Sequence, residues 1–423
     1  MTNLMSELAS AVRIDGERLW QRLMAMAAIG ATAKGGCNRQ ALTDLDKQGR
    51  ELFMGWCEAA GCGLRVDRMG NIFACRQGAN NALAPVITGS HLDTQPTGGK
   101  FDGVYGVLAG LEVIETLNQL NIVTQHPLEV VVWTNEEGAR FSPAMVGSGV
   151  WAGAFSEAYG HAAVDKNGAS IGGELERIGF LGAVEAVAGP VHAAFELHIE
   201  QGPILEQQGQ QIGIVTGVQG IRWYDVTLTG QACHAGPTPM ASRRDPFMAL
   251  GPIVEALYTL VESHGPWARV TFGDIKAMPG ARNTVPEVLV LCVDLRHPDE
   301  SILAQMHGQF VELVERISVA SQIHQNINQI WHSQAVAFAP QCIDAVQTAV
   351  NQLGYSHMQL VSGAGHDAVY VSRVAPTSMI FIPCAGGISH NEAENVDPAD
   401  VTAGVNVLLQ AMLQQAQIYD YKE

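Results

Sequence analysis

Histidine and acidic side chains follow an apolar run in the first quarter of the chain. The run that begins at Val86 ends in His91 and Asp93, and Asp102 follows a loop rich in proline and glycine. Imidazole nitrogens and carboxylate oxygens are ligands for borderline divalent metals, and a further acidic group can orient such a ligand. Taken alone, this stretch fits a metal site and an ordinary polar loop equally well.

Further candidate ligands follow other apolar runs or lie in glycine-rich loops. They are Glu136, Glu137, His198 and His390. Because ligands of an open α/β sheet gather outside the carboxyl ends of its strands, one sheet could bring all of these side chains together. Of two adjacent glutamates, one can bind metal while the other deprotonates the attacking water. Each residue alone fits a solvated turn or a core histidine, but their joint occurrence at strand ends favours a metal-dependent hydrolase with a pair of ions.

The elements that must position these residues follow from hydrophobic periodicity. Two amphipathic helices lead into a hairpin, which is followed by a strand–helix–strand unit that begins at Val86. From Ile221 the pattern changes to alternating strands with two helices, and α/β texture returns near Ile343. The sequence therefore predicts an α/β fold with a mixed sheet, formed by 1–220 and 332–423, and an inserted α+β lid or dimerisation domain over 221–331.

Composition narrows the classes of function. The 423 residues exceed the usual size of one hydrophobic core, so two domains are expected. The 24 basic and 42 acidic residues give a net charge of −18, which argues against nucleic acid or an anionic membrane as partner. No apolar run is long enough to cross a bilayer, and no secretory signal pattern is visible. Eight cysteines without a CxxC pair indicate neither a disulfide framework nor a thiolate zinc site, and we expect a cytoplasmic protein.

Six short motifs occur in a fixed order along the chain: GSHLDT, KFDG, NEEGARF, HIEQGP, CHAGPTPM and SHNE. With the segment GGCNRQALTDLDKQGRELF that precedes them, they resemble the amidohydrolase branch of the co-catalytic zinc metallopeptidases. That branch contains N-carbamoyl-L-amino-acid hydrolases, β-ureidopropionase and allantoate amidohydrolase. The resemblance covers nearly the whole chain.

The resemblance implies two divalent metal ions per subunit, either Zn²⁺ or Mn²⁺ or Co²⁺. The implied ligands are His91 and His198 for one ion, Glu137 and His390 for the other, and Asp102 for both. Asp93 would hydrogen-bond His91, and Glu136 would be the general base. This pairing is implied by the family and cannot be read from residue spacing.

The resemblance also implies residues that bind the substrate. His234 would stabilise the oxyanion, Asn283 and Arg296 would bind the substrate carboxylate and its surroundings, and Gln201 would lie near the ureido or amide end. An arginine binds a carboxylate through two parallel, charge-assisted hydrogen bonds, so Arg296 points to a substrate with a free acid group. Without the resemblance, His234 fits a turn residue and Arg296 a surface ion pair.

His366 and Asp367 belong to a glycine-flanked motif, SGAGHD, that needs separate consideration. The motif lacks the Lys-Ser/Thr of a phosphate-binding loop. We expect both side chains to shape the floor of the cleft beside the ligands rather than to bind metal. The one GxSxG match, GASIG at 168–172, lies in a glycine-rich, irregular stretch and not after a predicted strand, so no nucleophile elbow of an ordinary serine hydrolase is predicted.

The resulting hypothesis is the hydrolysis of a linear amide or ureido C–N bond in a small, carboxylate-bearing substrate. An N-carbamoyl-L-amino acid would give the amino acid, carbon dioxide and ammonia. Alternatives are an allantoate amidohydrolase, an aminoacylase or peptidase of the same clan, and a metal-binding scaffold without activity. The last is disfavoured because a scaffold would need the ligands but not Glu136. The family also implies a homodimer formed through the inserted domain, whose residues act in the same subunit or in its partner.

Overall fold

The computed structural model describes residues 11–419, which form two compact units. The larger unit consists of the described residues up to Thr216 and from Phe338 onward, and the smaller unit is Gly217–Ala337. The smaller unit thus interrupts the larger one in sequence.

Sixteen strands occur in the described part of the chain. They are β1 (Gly63–Val66), β2 (Ile72–Arg76), β3 (Val86–His91), β4 (Leu128–Trp133), β5 (Ala193–Ile199), β6 (Ile212–Val218), β7 (Gly220–Thr229), β8 (Cys233–His234), β9 (Arg269–Thr271), β10 (Ile275–Met278), β11 (Thr284–Val285), β12 (Val288–His297), β13 (His324–Ser333), β14 (Val336–Ala337), β15 (His357–Ser362) and β16 (Thr377–Ile382).

Twelve α-helices accompany these strands within residues 11–419. They are α1 (Gly16–Ala27), α2 (Asp44–Ala59), α3 (Val104–Gln119), α4 (Val146–Trp151), α5 (Glu157–Ala162), α6 (Ile171–Ile178), α7 (Ile204–Gln208), α8 (Phe247–Ser263), α9 (Glu300–Ala320), α10 (Pro340–Leu353), α11 (Ala368–Val371) and α12 (Pro398–Ala416).

The larger unit is built on a mixed sheet with the strand order β1-β2-β4-β3-β5-β16-β6, and β15 also pairs with β6. The four central strands β4, β3, β5 and β16 run parallel, whereas β2 and β6 pair antiparallel on either side of them. Parallel strands end at the same edge of a sheet. The carboxyl ends of β3, β4, β5 and β16 therefore meet at one edge, which is where ligands of such sheets gather.

Burial explains why the central strands read as continuous apolar runs. Every residue of β3, β5 and β16 is buried, as expected for parallel strands that are covered on both faces. Helix α3 is also buried along most of its length, and its apolar side chains join the main hydrophobic core with those of α12. The edge that carries the polar residues is thus held by a rigid core.

The smaller unit contains an antiparallel sheet with the order β10-β12-β7-β13, and β9 pairs with β12. Strand β12 alternates between buried and partly buried residues along its whole length. Its buried residues form a separate core with α8 and α9. Strands β8 and β11 form a two-stranded ribbon of their own.

The mixed-sheet α/β fold predicted from the sequence is confirmed. Strands β6 and β15 and helices α4 and α5 have no counterpart in the predicted elements. Glycines interrupt β6, α4 and α5, and all four segments are short and show little periodicity. The predicted bounds of the insertion, 221 and 331, lie inside Gly217–Ala337. The difference arises because strand pairing continues past both predicted bounds, to Val218 and Val336. Among residues 11–419, no helix is both long and apolar enough to span a bilayer.

Candidate active site

The candidate metal ligands lie at the carboxyl ends of the parallel strands. His91 is the last residue of β3, and the register that pairs Thr88 with Phe195 brings it level with His198 of β5. Glu136 and Glu137 follow β4, and His390 lies in the loop after β16. Asp102 immediately precedes Gly103, the residue before α3. The fold thus gathers ligands that are distant in sequence.

The first group of ligands faces one oxygen of Asp102. Its Oδ1 lies 3.1 Å from Nε2 of His198 and 3.7 Å from Nε2 of His91. All three side chains are buried, and their ligand atoms lie within 4.8 Å of one another. This separation suits a single cation.

Backbone contacts fix which nitrogen of each histidine carries the proton. Nδ1 of His91 lies 2.8 Å from the carbonyl oxygen of Asp93, and Nδ1 of His198 lies 2.9 Å from that of Ile199. Because a carbonyl oxygen only accepts, each Nδ1 must donate, and the neutral ring leaves the lone pair on Nε2. Nε2 of His198 accordingly accepts from the backbone N–H of Gly103 at 3.3 Å. Both histidines therefore present a ligand nitrogen to Asp102.

The second group faces the other oxygen of Asp102. Nε2 of His390 lies 3.4 Å from Oδ2 of Asp102 and 3.3 Å from Oε2 of Glu137. Glu137 is held by Gln95, whose backbone N–H and side-chain amide donate to its two oxygens at 3.2 and 2.7 Å. Gln201 also reaches this group, since its Nε2 donates to Oδ2 of Asp102 at 2.9 Å. Asp102 therefore offers one oxygen to each group.

The chemistry of these donors fits two divalent cations. Within residues 11–419, the ion pairs of Asp102, Glu136 and Glu137 are all with histidines rather than with lysine or arginine. Burial raises the pKa of Glu137 to about 7, with the nearby Asp102 carboxylate adding to the effect. Buried carboxylates without a cationic partner are costly, and a bound cation would relieve that cost.

Glu136 lies beside the first group rather than inside it. Its Oε2 is 3.4 Å from Nε2 of His91, and the side chain is buried. Burial raises the pKa of Glu136 well above its usual range, although the neighbouring His91 opposes the shift. A carboxylate with a raised pKa at the edge of a ligand set is suited to take up and return a proton.

Asp93 contacts His91 through its backbone carbonyl and not through its side chain. His91 donates to the backbone carbonyl of Asp93, whereas its Nδ1 is 3.9 Å from the carboxylate. The Asp93 carboxylate instead accepts from the backbone N–H groups of Glu136 and Glu137, both at 3.3 Å. It is turned toward the loop after β4 because that loop offers two converging donors. Asp93 thus links the ends of two neighbouring strands.

Gly103 shows how tightly the first group is packed. Its backbone has φ of +68°, and a Cβ placed on it would lie 2.4 Å from the imidazole of His91. A side chain at this position would displace the ring. Gln201 and His390 also have positive φ, of 57° and 53°, which is uncommon for residues other than glycine. Such backbone conformations cluster at functional sites.

The SGAGHD motif lies behind the first group. The ring of His366 packs edge-on against that of His198, with centroids 4.6 Å apart, and Asp367 accepts from the hydroxyl of Ser148 at 2.5 Å. Glu196, His198 and His366 could by proximity form a further ligand set. However, both oxygens of Glu196 already accept hydrogen bonds, and the one ligand nitrogen of His198 faces Asp102. We therefore interpret this cluster as a hydrogen-bonded support.

Sequence reasoning missed several residues that support the loops of the site. Arg39 is buried and donates from Nε to the carbonyl of Leu92, between His91 and Asp93, at 2.9 Å. Glu394 accepts from the backbone N–H of Asp102 at 3.1 Å. The only sequence signal was the position of Arg39 inside the GGCNRQ segment, because contacts with backbone atoms leave no pattern in side-chain spacing.

The remaining candidates, His234, Asn283 and Arg296, belong to the smaller unit. His234 ends β8 and Asn283 immediately precedes β11, and the N–H of Ala235 donates to the carbonyl of Asn283 at 2.9 Å. Arg296 lies on β12 and donates from Nε and Nη2 to the carboxylate of Asp294, with a shortest distance of 2.8 Å. The Arg296 guanidinium is thus presented in bidentate contact with a carboxylate of the chain itself.

Comparison with known proteins identifies the class of enzyme that this fold and site define. Residues 87–414 match the peptidase family M20/M25/M40, and the chain belongs to this family. Its metal dependence agrees with the ligand groups at the sheet edge.

Individual relatives place the chain within the family. It is 48% identical over 412 residues to an N-carbamoyl-L-amino-acid amidohydrolase from Rhizobium meliloti, covering 96% of this chain and 98% of the relative. It is 34% identical to an allantoate amidohydrolase from Bacillus subtilis, over 90% and 93% of the two chains. A crystal structure of an amidase of the hydantoinase/carbamoylase family from Burkholderia multivorans superposes with a TM-score of 0.93 at 53% identity, over 96% and 99%. The resemblance to the amidohydrolase branch is confirmed.

Proposed function

We propose that the protein hydrolyses the ureido C–N bonds of an N-carbamoyl-L-amino acid to give the L-amino acid, carbon dioxide and ammonia. The observation that carries this proposal is the geometry of Asp102, with one oxygen facing His91 and His198 and the other facing Glu137 and His390. The relationship to N-carbamoyl-L-amino-acid amidohydrolases supports this reaction and substrate class.

The two ligand groups would hold two divalent ions, which we propose to be Zn²⁺, with Mn²⁺ or Co²⁺ as alternatives. Bound there, such ions would polarise the substrate carbonyl and lower the pKa of the attacking water. The mixture of imidazole and carboxylate donors is compatible with each of these metals. It does not select among them.

Glu136 would be the general base. Its buried carboxylate lies next to the first ligand group without needing to be a ligand itself, so it is available to accept a proton from the attacking water. The same carboxyl group would then donate that proton to the leaving nitrogen. The backbone N–H of Glu136 donates to the carboxylate of Asp93, and His91 donates to the backbone carbonyl of the same residue. These two contacts keep the base next to the ligand group that contains His91.

Four side chains are proposed to bind the substrate. We propose that Arg296 and Asn283 bind its carboxylate, that His234 stabilises the oxyanion, and that Gln201 contacts the ureido end. Gln201 is suited to this role because its Oε1 is buried without a hydrogen-bond partner among the described residues. For Arg296, binding requires the substrate carboxylate to replace or join that of Asp294.

We further propose a homodimer formed through Gly217–Ala337. Residues of this segment would act in the same subunit or in its partner. We also propose a cytoplasmic location. The eight cysteines are all unpaired in the structure, as expected in a reducing compartment. The substrate is a small molecule, and the acidic net charge of −18 disfavours nucleic acid and anionic membranes as partners.

Allantoate is the second candidate substrate, because a relative in Bacillus subtilis is an allantoate amidohydrolase. Both substrates combine a ureido group with a carboxylate, so the same site chemistry would serve either.

A substrate panel with zinc-reconstituted enzyme tests the proposal. It contains N-carbamoyl-L- and D-amino acids, N-carbamoyl-β-alanine, allantoate, N-acetyl amino acids and dipeptides, with released ammonia and free amino acid measured. We expect the highest kcat/KM with an N-carbamoyl-L-amino acid, and a much lower value when its carboxylate is replaced by a carboxamide. Turnover of dipeptides or N-acetyl amino acids without turnover of any ureido substrate would overturn the proposal.

A further inference from the structure

Two loops of the larger unit meet at the carboxylate of Glu394, which is 2% exposed. Its Oε1 accepts from the backbone N–H groups of Phe101 and Asp102 at 2.9 and 3.1 Å. Its Oε2 lies 3.2 Å from Oγ of Ser389, and the same hydroxyl lies 3.0 Å from Oδ2 of Asp102. Glu394 thus contacts the backbone of Asp102 directly and its side chain through Ser389.

The carboxylate of Glu394 occupies the space that a side chain at Gly99 would need. A Cβ on Gly99 would lie 2.0 Å from both Cδ and Oε1 of Glu394. The carboxylate could avoid such a Cβ only by leaving its hydrogen-bond donors. No side chain other than hydrogen is therefore compatible with the present position of Glu394.

Burial of Glu394 is not explained by an ion pair. Within residues 11–419, neither lysine nor arginine pairs with it, and its partners are two backbone N–H groups and one hydroxyl. Burying a carboxylate is costly unless hydrogen bonds compensate. Its two backbone donors belong to Phe101 and Asp102. The Ser389 hydroxyl, in the residue before His390, has one hydrogen and donates either to Glu394 or to Asp102 at any moment, while its oxygen stays in contact with both.

We propose that Glu394 is a positioning residue that fixes the backbone at Asp102 and, through Ser389, the rotation of the Asp102 carboxylate. This rotation decides whether one oxygen faces each ligand group. The inference rests on the proposed metal-dependent function and names the residue that presents its shared ligand. Without Glu394, the two N–H groups lose their acceptor and the loop that carries Asp102 is free to shift.

The test compares Glu394→Ala with Glu394→Gln by competition between the enzyme and a chelator for Zn²⁺, in variants shown to be folded by circular dichroism. Loss of a residue that orients a metal ligand typically weakens metal binding about 10- to 100-fold. We expect such a loss for Glu394→Ala and substantial rescue by Glu394→Gln, because the amide oxygen can still accept both backbone N–H groups. The visible absorption of Co²⁺-loaded enzyme should change in Glu394→Ala, which a general loss of stability would not cause.

A second variant perturbs the same contact without removing the carboxylate. Gly99→Ala should displace Glu394 and weaken Zn²⁺ binding at least about tenfold, whether or not Glu394→Ala folds. In the double variant, Gly99→Ala should cause no further loss, since the clashing group is gone. Glu392→Gln is the matched control, because its carboxylate lies in the same loop but pairs with Lys34 at 3.6 Å.

The outcomes separate this inference from the proposed function. Wild-type Zn²⁺ affinity in folded Glu394→Ala or in Gly99→Ala would overturn the positioning role and leave the hydrolase proposal intact. Failure of the wild-type protein to bind Zn²⁺ or Co²⁺ would instead contradict the metal-dependent function itself. Equal losses in Glu392→Gln and Glu394→Ala would also overturn the inference, because the effect would then belong to the loop as a whole.

Discussion

Two adjacent carboxylates, Glu136 and Glu137, have different surroundings, and this difference defines the chemistry of the site at the residue scale. Glu137 lies 3.3 Å from His390 and is held through both oxygens by Gln95. Glu136 has no such side-chain clamp among its described contacts and lies 3.4 Å from His91. Glu137 is thus held in an orientation suited to a metal ligand, whereas Glu136 retains the capacity to exchange a proton.

This difference predicts separate effects of substitution at the two positions. Glu136→Gln should retain metal but lose about 10²–10⁴-fold in kcat, because an amide cannot accept the proton. Glu137→Ala should lower metal occupancy itself. Metal content by elemental analysis, measured beside single-turnover rates, distinguishes the two effects. Near-normal turnover in metal-replete Glu136→Gln would show that another group is the base.

The identities of the candidate residues could be predicted from the sequence, but their contacts could not. His91, Asp102 and His198 were recognisable because reactive side chains follow buried strands or open a helix. The sequence could not show that one oxygen of Asp102 faces each group, because carboxylate rotation depends on Glu394 and Ser389. The sequence also suggested that the Asp93 side chain contacts His91, whereas in the structure His91 donates to the backbone carbonyl of Asp93.

At the scale of elements, the parallel strands β3, β4, β5 and β16 bring the candidate ligands together, and their buried apolar runs made all four predictable. Strand β6 was missed because its two glycines and the neighbouring polar residues weaken its pattern. In the smaller unit, the alternation of β7 and β12 was clear because one face of the sheet packs on α8 and α9. Periodicity thus identifies elements with a regular burial pattern and fails for irregular ones.

The turn between β1 and β2 contains a titratable group with a measurable effect on stability. Asp67 is fully buried and accepts from the backbone N–H groups of Met69 and Asn71 at 2.9 and 3.0 Å. Burial nevertheless raises the pKa of Asp67 to about 6. Because the folded state holds the proton more tightly than the unfolded state, its contribution to stability is present below the ordinary carboxyl pKa and is lost as pH rises through about 6.

Asp67→Asn removes this titration. Urea denaturation measures the free energy of unfolding of the wild type and of the variant at each pH. The value for the wild type minus the value for the variant should decrease by about 3 kcal/mol between about pH 4 and pH 7. The subtraction cancels the titration of all other groups that the two proteins share. A difference that is constant across this range would mean that Asp67 has an ordinary pKa in the folded protein.

At the scale of the whole molecule, the buried carboxylates of the larger unit predict that metal binding is linked to folding. The wild-type protein stripped of metal by a chelator should lose activity and melt at a lower temperature than the Zn²⁺-loaded protein. Metal present at a hundredfold excess over its Kd contributes about 2.7 kcal/mol, which corresponds to roughly 4 °C in Tm for a unit of this size. Reloading with Zn²⁺, Mn²⁺ or Co²⁺ should restore both. Full activity and an unchanged Tm after rigorous metal removal would contradict the prediction.

The pairing of β6 with β14 bears on how such a molecule could have arisen. Val218 pairs with Val336, Gly217 pairs with Ala337, and the N–H of Phe338 donates to the carbonyl of Thr216 at 2.9 Å. The chain therefore leaves the larger unit and returns to it at adjacent positions. A short turn joining Thr216 to Phe338 would close the same gap, and every candidate metal ligand would remain in the continuous remainder. The segment between these points could therefore be removed or exchanged in one step without interrupting the part of the chain that carries every candidate metal ligand.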